Sequence, residues 1–176
     1  MSEWVMVANN SVPNSDEWSQ VGWIEMPGGV RNTFVQYANG VNNVHTDYFA
    51  PDAINSTQNY TALYQPGSQT PFVLKENIVT LVAVSLPWTP NLAEIDAEIH
   101  TKASQMPGGT ADPSGQVAAV SNAHVWPNAG SGSWGPFNAY TEARSSPSSD
   151  MSFIGIAPLG GGTLNSWRTW DKACTT

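Results

Sequence analysis

Residues 93–100 of this 176-residue chain alternate apolar and polar side chains without interruption. One set of alternate positions is apolar, and the other carries three carboxyl groups and an imidazole: Glu94, Asp96, Glu98 and His100. A period of two residues predicts a β-strand with one buried face. Side chains on the same face of a strand are about 7 Å apart, so these acidic groups affect each other's ionisation. We expect this segment, which we call the acidic strand, to form the wall of a functional site.

Other short segments with strand-like patterns continue along the whole chain and are separated by turn-forming residues. They cover residues 4–8, 18–24, 33–37, 60–64, 72–74, 78–85, 116–126, 137–140, 151–157 and 166–170. No window has a helical period, and neither an internal repeat nor a long linker divides the chain. The sequence therefore predicts a single all-β domain over residues 1–176, an antiparallel β-sandwich of two packed sheets. A β-barrel made of the same strands is the alternative.

Two stretches carry more specific expectations about their place in the fold. Residues 78–85 are apolar at nearly every position, so this strand should be central in a sheet that is covered on both faces. Residues 45–59 are weakly patterned, and we expect them to form a surface loop.

The chain is acidic but poor in charged residues, which restricts its partners. Its formal net charge is −8 and its pI is near 4.5, so it repels phosphate backbones and nucleic-acid binding is not expected. No run approaches the roughly 20 apolar residues of a membrane span. Charged residues make up only 11% of the chain, about half the usual share or less. Asn, Ser, Thr, Gly and Pro take their place, which is typical of a secreted or extracellular β-protein.

The N-terminus and the single cysteine add two further constraints. Met1 is followed almost directly by the first predicted strand, so export requires either a leader that has been removed or a route without one. Cys174 is the only cysteine, which excludes an internal disulfide and a cysteine-based metal site.

Two polar residues fall where a sandwich builds a cleft. Glu98 lies on the polar face of the acidic strand. Gln20 alternates with Val21 in its strand and lies beside Trp18, so we expect it to point away from the core. A glutamine at that position can hold an amide donor in a defined place.

Short motifs around these two residues resemble the glutamic peptidases of the eqolisin type. They are Trp4-Val5, Gln20-Val21-Gly22, Ala97-Glu98-Ile99 and Val120-Ser121-Asn122-Ala123, in the order and rough spacing of that family. A longer stretch, Glu-Ile-His-Thr-x-x-Ser-Gln-Met-Pro-Gly over residues 98–108, is similar to a set of secreted bacterial proteins. The first resemblance covers about the first 125 residues and implies a concanavalin-like sandwich.

The resemblance also implies a catalytic dyad of Gln20 and Glu98 acting on a polypeptide substrate. In that chemistry a carboxylate is the general base for a water molecule, and an amide donates to the oxyanion of the tetrahedral intermediate. Asp96, His100, Trp18 and Trp126 are the expected substrate contacts. Two positions depart from the family's pattern: Ala8 occupies the place of an aspartate, and Ile99 that of a tryptophan.

Other interpretations of the same residues are open. The acidic strand is also what a solvated outer face of an antiparallel sheet looks like. Asp96, Glu98 and His100 carry ligands suited to calcium, manganese or zinc, but one strand alone supplies them, so we expect neither a metal nor another cofactor. Tryptophans near polar positions can stack on sugar rings, which would make the chain a non-catalytic, lectin-like sandwich that binds a glycan. A surface or filament protein is a third possibility.

Overall fold

The computed structural model describes residues 2–11, 16–26, 28–40, 42–50, 56–98, 118–120, 124–125, 135–136, 154–158 and 167–171, with side chains as far as residue 96. Within these residues every regular element is a β-strand, and no helix is present that could cross a membrane. The strands in chain order are β1 Ser2–Ala8, β2 Trp18–Glu25, β3 Arg31–Ala38, β4 Val44–Tyr48, β5 Tyr60–Tyr64, β6 Phe72–Glu76, β7 Val79–Val84, β8 Leu92–Glu98, β9 Ala118–Val120, β10 His124–Val125, β11 Gly135–Pro136, β12 Ile154–Pro158 and β13 Trp167–Asp171.

By its internal contacts the chain divides into two compact units, Ser2–Asp96 and Ala97–Thr176 with Met1. Strands β1 to β8 form a five-stranded sheet, in the order β4-β3-β2-β1-β8, and a three-stranded sheet, in the order β5-β6-β7. The later strands form the sheet β12-β13-β9 and the pair β10-β11. The all-β prediction is confirmed, and the two antiparallel sheets of five and three strands are consistent with a sandwich. The concanavalin-like type and the single domain over residues 1–176 stay predictions.

The two sheets of the first unit pack on each other around a small apolar centre. Val21 and Val35 of the five-stranded sheet meet Leu74 of the three-stranded sheet, and all three side chains are 0% exposed. Burying a side chain of this size contributes about 1.5–3 kcal/mol. A second cluster joins Phe72, Leu86 and Trp88, whose indole Nε1 donates to the carbonyl oxygen of Ala38 at 3.1 Å. That bond ties the segment between β7 and β8 to the end of β3.

Gly22 is required by the close approach of β1 to β2. A Cβ atom at this position would lie 1.9 Å from the carbonyl oxygen of Glu3 and 2.6 Å from the Cα of Trp4. Real Cβ contacts are never that short, so any other residue forces the two strands apart.

The structure contradicts the expectation of a surface loop from residue 45, because residues 44–48 form β4. This strand pairs with β3, and His45 lies opposite Tyr37. A turn in which Gly40 and Asn42 both have positive φ connects the two strands. The pattern is weak because β4 is outermost among the described strands of its sheet and has exposed residues on both faces. Backbone pairing with β3 specifies it, and the sequence of β4 alone does not show that pairing.

The prediction that residues 78–85 form a central strand is also wrong. β7 is outermost in the order β5-β6-β7, and Val79 is 56% exposed. The pairing register shifts within the strand: Leu74 opposes Val82, and Lys75 opposes Thr80. Leu81 is therefore an extra residue, and this β-bulge lets the consecutive Leu81 and Val82 both pack on the core. A continuous apolar run here reflects a bulge on an edge strand and not a strand covered on both faces.

The predicted long strand over residues 116–126 is two strands in the described part of the chain. β9 pairs with β13, whereas β10 pairs with β11. Residues 121–123, between these two strands, lie outside the described residues. The strand predicted over residues 137–140 lies outside the described residues.

Candidate functional site

Gln20 belongs to a row of hydrogen-bonded side chains that crosses three strands of the five-stranded sheet. It lies opposite Gln36 on β3, and Gln36 lies opposite Thr46 on β4. The Nε2 of Gln20 donates to the Oε1 of Gln36 at 2.9 Å, and the Nε2 of Gln36 donates to the Oγ1 of Thr46 at 3.0 Å. We call these three residues the amide ladder. It holds the Gln20 carboxamide in one place.

The amide ladder lies on the opposite face of the sheet from Val21 and Val35, as alternation along a strand requires. This face is not open where Gln20 lies: the residue is 8% exposed, and Phe34, on the same face, is 2% exposed. Gln20 points to the other face of the sheet from Val21, as the sequence predicted. It is nevertheless buried, and in that respect it differs from the expected cleft residue. Trp18, also on this face, is half-buried and lies opposite Ala8.

Residues 93–98 of the acidic strand lie in β8, which is next to β1. Burial raises the pKa of the Glu94 carboxyl above its ordinary value, and the nearby Asp96 charge raises it further. Asp96 itself is exposed. The expected coupling between neighbouring carboxyl groups is therefore present for this pair.

The other residue of the expected dyad lies at the end of β8. Glu98 is the last residue of β8, and its side chain lies outside those described. His100 and Trp126 also lie outside the described residues. β1 separates β2 from β8, so the backbones of the strands that carry Gln20 and Glu98 are about 9–10 Å apart, or two strand spacings.

No three metal-binding side chains come together in the part of the chain with described side chains. The ligand set considered from the sequence includes Glu98 and His100, so it lies largely outside that part.

A second polar cluster, which the sequence patterns missed, lies on β3 and β4. The His45 and Tyr37 rings stack with their centroids 4.8 Å apart, and the His45 Nε2 is 2.9 Å from the Asp47 Oδ2. Burial raises the pKa of the Tyr37 hydroxyl, and the Asp47 charge adds to the rise. The alternation of His45 and Asp47 around Thr46 was the available signal, but it lay in the segment assigned to a loop.

A third cluster surrounds Trp23 near the start of β1. Its indole Nε1 donates to the Oε2 of Glu3 at 3.2 Å, and the Arg31 guanidinium lies 5.4 Å from the centre of its ring. Arg31 also pairs with Glu25 at 2.8 Å. Glu3 is buried and Arg31 contacts both Trp23 and Glu25, so these contacts join β1, β2 and β3.

No protein-family model, no curated protein and no solved structure matches this chain. The likeness to glutamic peptidases therefore depends on the short sequence motifs alone.

Proposed function

We propose that the chain is a glutamic-peptidase-like endopeptidase that works at acid pH, with Gln20 and Glu98 as its dyad. The observation that supports this most is the anchored amide of Gln20. An oxyanion donor must already be oriented before the reaction begins, and Gln36 fixes the Gln20 carboxamide in that way.

In this reaction the Glu98 carboxylate takes a proton from a water molecule, and that water attacks the carbonyl carbon of the peptide bond. The carbonyl oxygen then becomes an oxyanion, and an N–H of Gln20 donates to it. When the intermediate breaks down, the protonated Glu98 returns its proton to the leaving amine. The acid range is supported by the pI of the chain, near 4.5, because the protein carries little net charge in mild acid.

The test is digestion of denatured casein or haemoglobin between acid and neutral pH. Wild type should cleave in acid and lose activity toward neutrality. Glu98→Gln should abolish cleavage, and Gln20→Ala should reduce kcat by about 10²–10³, the usual loss for one oxyanion donor. Glu94→Gln is the matched control on the same strand and should still cleave. Failure of wild type to cleave, or full activity of Glu98→Gln, would refute the proposal.

Gln20→Ala needs a stability measurement beside the assay. Gln20 is buried, so its removal takes a donor from Gln36 and leaves a cavity. A loss of activity in a sample that is folded at the assay temperature is the meaningful result.

The burial of Gln20 favours a second candidate, a lectin-like sandwich that binds a glycan without cleaving it. A side chain that is 8% exposed offers little surface to a substrate, whereas the half-buried Trp18 can still stack on a sugar ring. A glycan array on the same sample separates the two functions. Glycan binding that Trp18→Ala removes and Glu98→Gln leaves intact, in a sample that does not digest protein, would favour the lectin. In either case the composition supports action outside the cell.

A further inference from the structure

The turn between β3 and β4 contains Asn39-Gly40, the only Asn-Gly pair in the chain. A glycine has no side chain to shield its backbone nitrogen, so in such a pair that nitrogen can attack the Cγ of the asparagine side chain. The new N–Cγ bond closes a succinimide ring, and the side-chain nitrogen takes up the glycine proton and leaves as ammonia. Water then opens the ring at one of its two carbonyl groups, which gives aspartate or isoaspartate. Water is the only co-reactant.

The two reacting groups of this pair are held differently in the folded chain. The Asn39 side chain is exposed. The Gly40 nitrogen, in contrast, donates its hydrogen to the carbonyl oxygen of Asp16 at 3.0 Å. Two further bonds fix the backbone around it: Asn39 donates to the carbonyl oxygen of Asn43 at 3.1 Å, and Asn43 donates to that of Gly40 at 3.2 Å. A backbone N–H held in this way becomes available only when the turn opens locally.

We propose that Asn39 is a site of spontaneous modification and that the hydrogen bond from Gly40 to Asp16 controls its rate. Asp16 belongs to the segment that precedes β2, and Asn9 holds this segment in place. The Asn9 N–H donates to the carbonyl oxygen of Glu17 at 2.9 Å, and its Nδ2 donates to the Glu17 Oε2 at 2.5 Å. The contact that restrains the Gly40 nitrogen therefore joins the β1–β2 connection to the β3–β4 connection. The proposal is independent of the proposed peptidase function.

The product changes the turn in two ways. Either acid adds a negative charge to a chain whose net charge is already −8. Isoaspartate also inserts an extra carbon into the backbone between residues 39 and 40, next to Ala38, which pairs with Val44 at the end of the β3–β4 ladder. We therefore expect β4 to be held less firmly in the modified protein.

The first experiment compares the full chain at pH 8 in its folded state and in urea. Peptide mapping by mass spectrometry follows the loss of ammonia at Asn39 and then the replacement of its NH₂ by OH. Conversion should be at least about tenfold slower in the folded protein, because only the locally opened fraction reacts. Asn77 is the internal control: it is also exposed and in a turn, but the branched side chain of Ile78 shields the next nitrogen, so it should stay unchanged.

A second experiment tests the contact that controls the rate. Asn9→Ala removes the side-chain bond to Glu17 and should speed conversion of the folded protein about fivefold, the change expected from one hydrogen bond, with no change in urea. Gln58→Ala is the matched control, because it removes a side-chain bond from a different turn, that of Asn77, and it should convert Asn39 at the wild-type rate. Equal rates in folded and unfolded wild type, or no acceleration in a folded Asn9→Ala sample, would overturn the proposal.

If Asn9→Ala does not fold, wild type alone decides the matter. Hydrogen exchange at the Gly40 amide, measured by NMR over a range of low urea concentrations, reports how often the bond to Asp16 opens. The conversion rate of Asn39 should rise in proportion to that opening, and a conversion rate that stays constant while the Gly40 amide opens more often would refute the control by Asp16.

The effect of the product on β4 is measured on the converted sample. Backbone hydrogen exchange in β4 should be faster than in unconverted protein, whereas β6 should be unaffected. Asn39→Asp separates the two causes, since it adds the charge without the extra backbone carbon. Asn39→Gln, whose longer side chain forms the cyclic imide much more slowly, should keep β4 protected through the same incubation. Unchanged exchange in β4 of the converted sample would show that the turn tolerates the product.

Discussion

Burial and a neighbouring negative charge both raise the pKa of the Glu94 carboxyl group. Burial favours its neutral form first, and the Asp96 carboxylate disfavours its ionisation further. A carboxyl group whose pKa is raised in the folded state contributes its full stability below its unfolded pKa, near 4.5. That contribution is lost as the pH rises through the folded pKa. Glu94 therefore makes the fold less stable at neutral pH than in mild acid.

Glu94→Gln should consequently raise the free energy of unfolding at pH 7 and leave it nearly unchanged at pH 4.5. Glutamine keeps the shape and removes the cost of ionising a half-buried carboxyl group. Urea titrations at the two pH values measure this. Asp96→Asn is the control: it removes only the second cause, so its effect at pH 7 should have the same sign and a smaller size. A Glu94→Gln variant less stable than wild type at pH 7 would contradict this account.

At the scale of the strands, the backbone of β1 passes close to Gly22 of β2. Gly22→Ala should destabilise the fold by about 3 kcal/mol or more, the upper part of the range for overpacking, because backbone atoms on β1 have to move. Gly28→Ala is the matched control. Gly28 has a φ of 95° with nothing within 4 Å of an added Cβ, so it carries only the conformational penalty, about 1 kcal/mol. Urea denaturation compares them, and equal losses would show that the collision at Gly22 is relieved cheaply.

The strands that the sequence predicted best are those whose own residues show a buried face. The segment 60–64 matches β5 at both ends. β4 was missed because its pairing with β3 comes from the rest of the sheet. β7 was misplaced because a bulge and a central strand leave the same apolar run. In each case the missing information is a pairing register, which is set by contacts distant along the chain.

The sequence also predicts only part of the candidate site, namely the face of the strand on which a residue lies. The face of Gln20 could be inferred from alternation alone. Its hydrogen bond to Gln36 could not, because the partners are 16 residues apart and meet only in the register of β2 and β3. The burial of Gln20 was likewise invisible, since strand periodicity gives a direction for a side chain and not what covers it.

At the scale of the whole molecule, the net negative charge and the burial of Glu94 both make the fold more stable in mild acid than at neutral pH. The salt dependence of stability distinguishes these two contributions. The chain has 14 acidic and 6 basic residues, and repulsion among exposed carboxylates at neutral pH weakens the compact state. Salt at 1 M shortens the screening length to about 3 Å and removes most of that repulsion, but it screens a partly buried group much less.

We therefore expect the urea midpoint to rise as the pH falls from 7 to 5 in 10 mM salt, and to rise by a smaller but measurable amount in 1 M sodium chloride. Each comparison is made at one salt concentration, so a uniform effect of salt on stability cancels. Glu94→Gln should remove most of the rise that persists in 1 M salt, because the remaining carboxylates act mainly through the screened repulsion. If wild type loses its whole pH dependence in 1 M salt, repulsion between exposed charges accounts for all of it and the burial of Glu94 contributes nothing. If Glu94→Gln keeps the salt-resistant rise in full, another group is responsible for it.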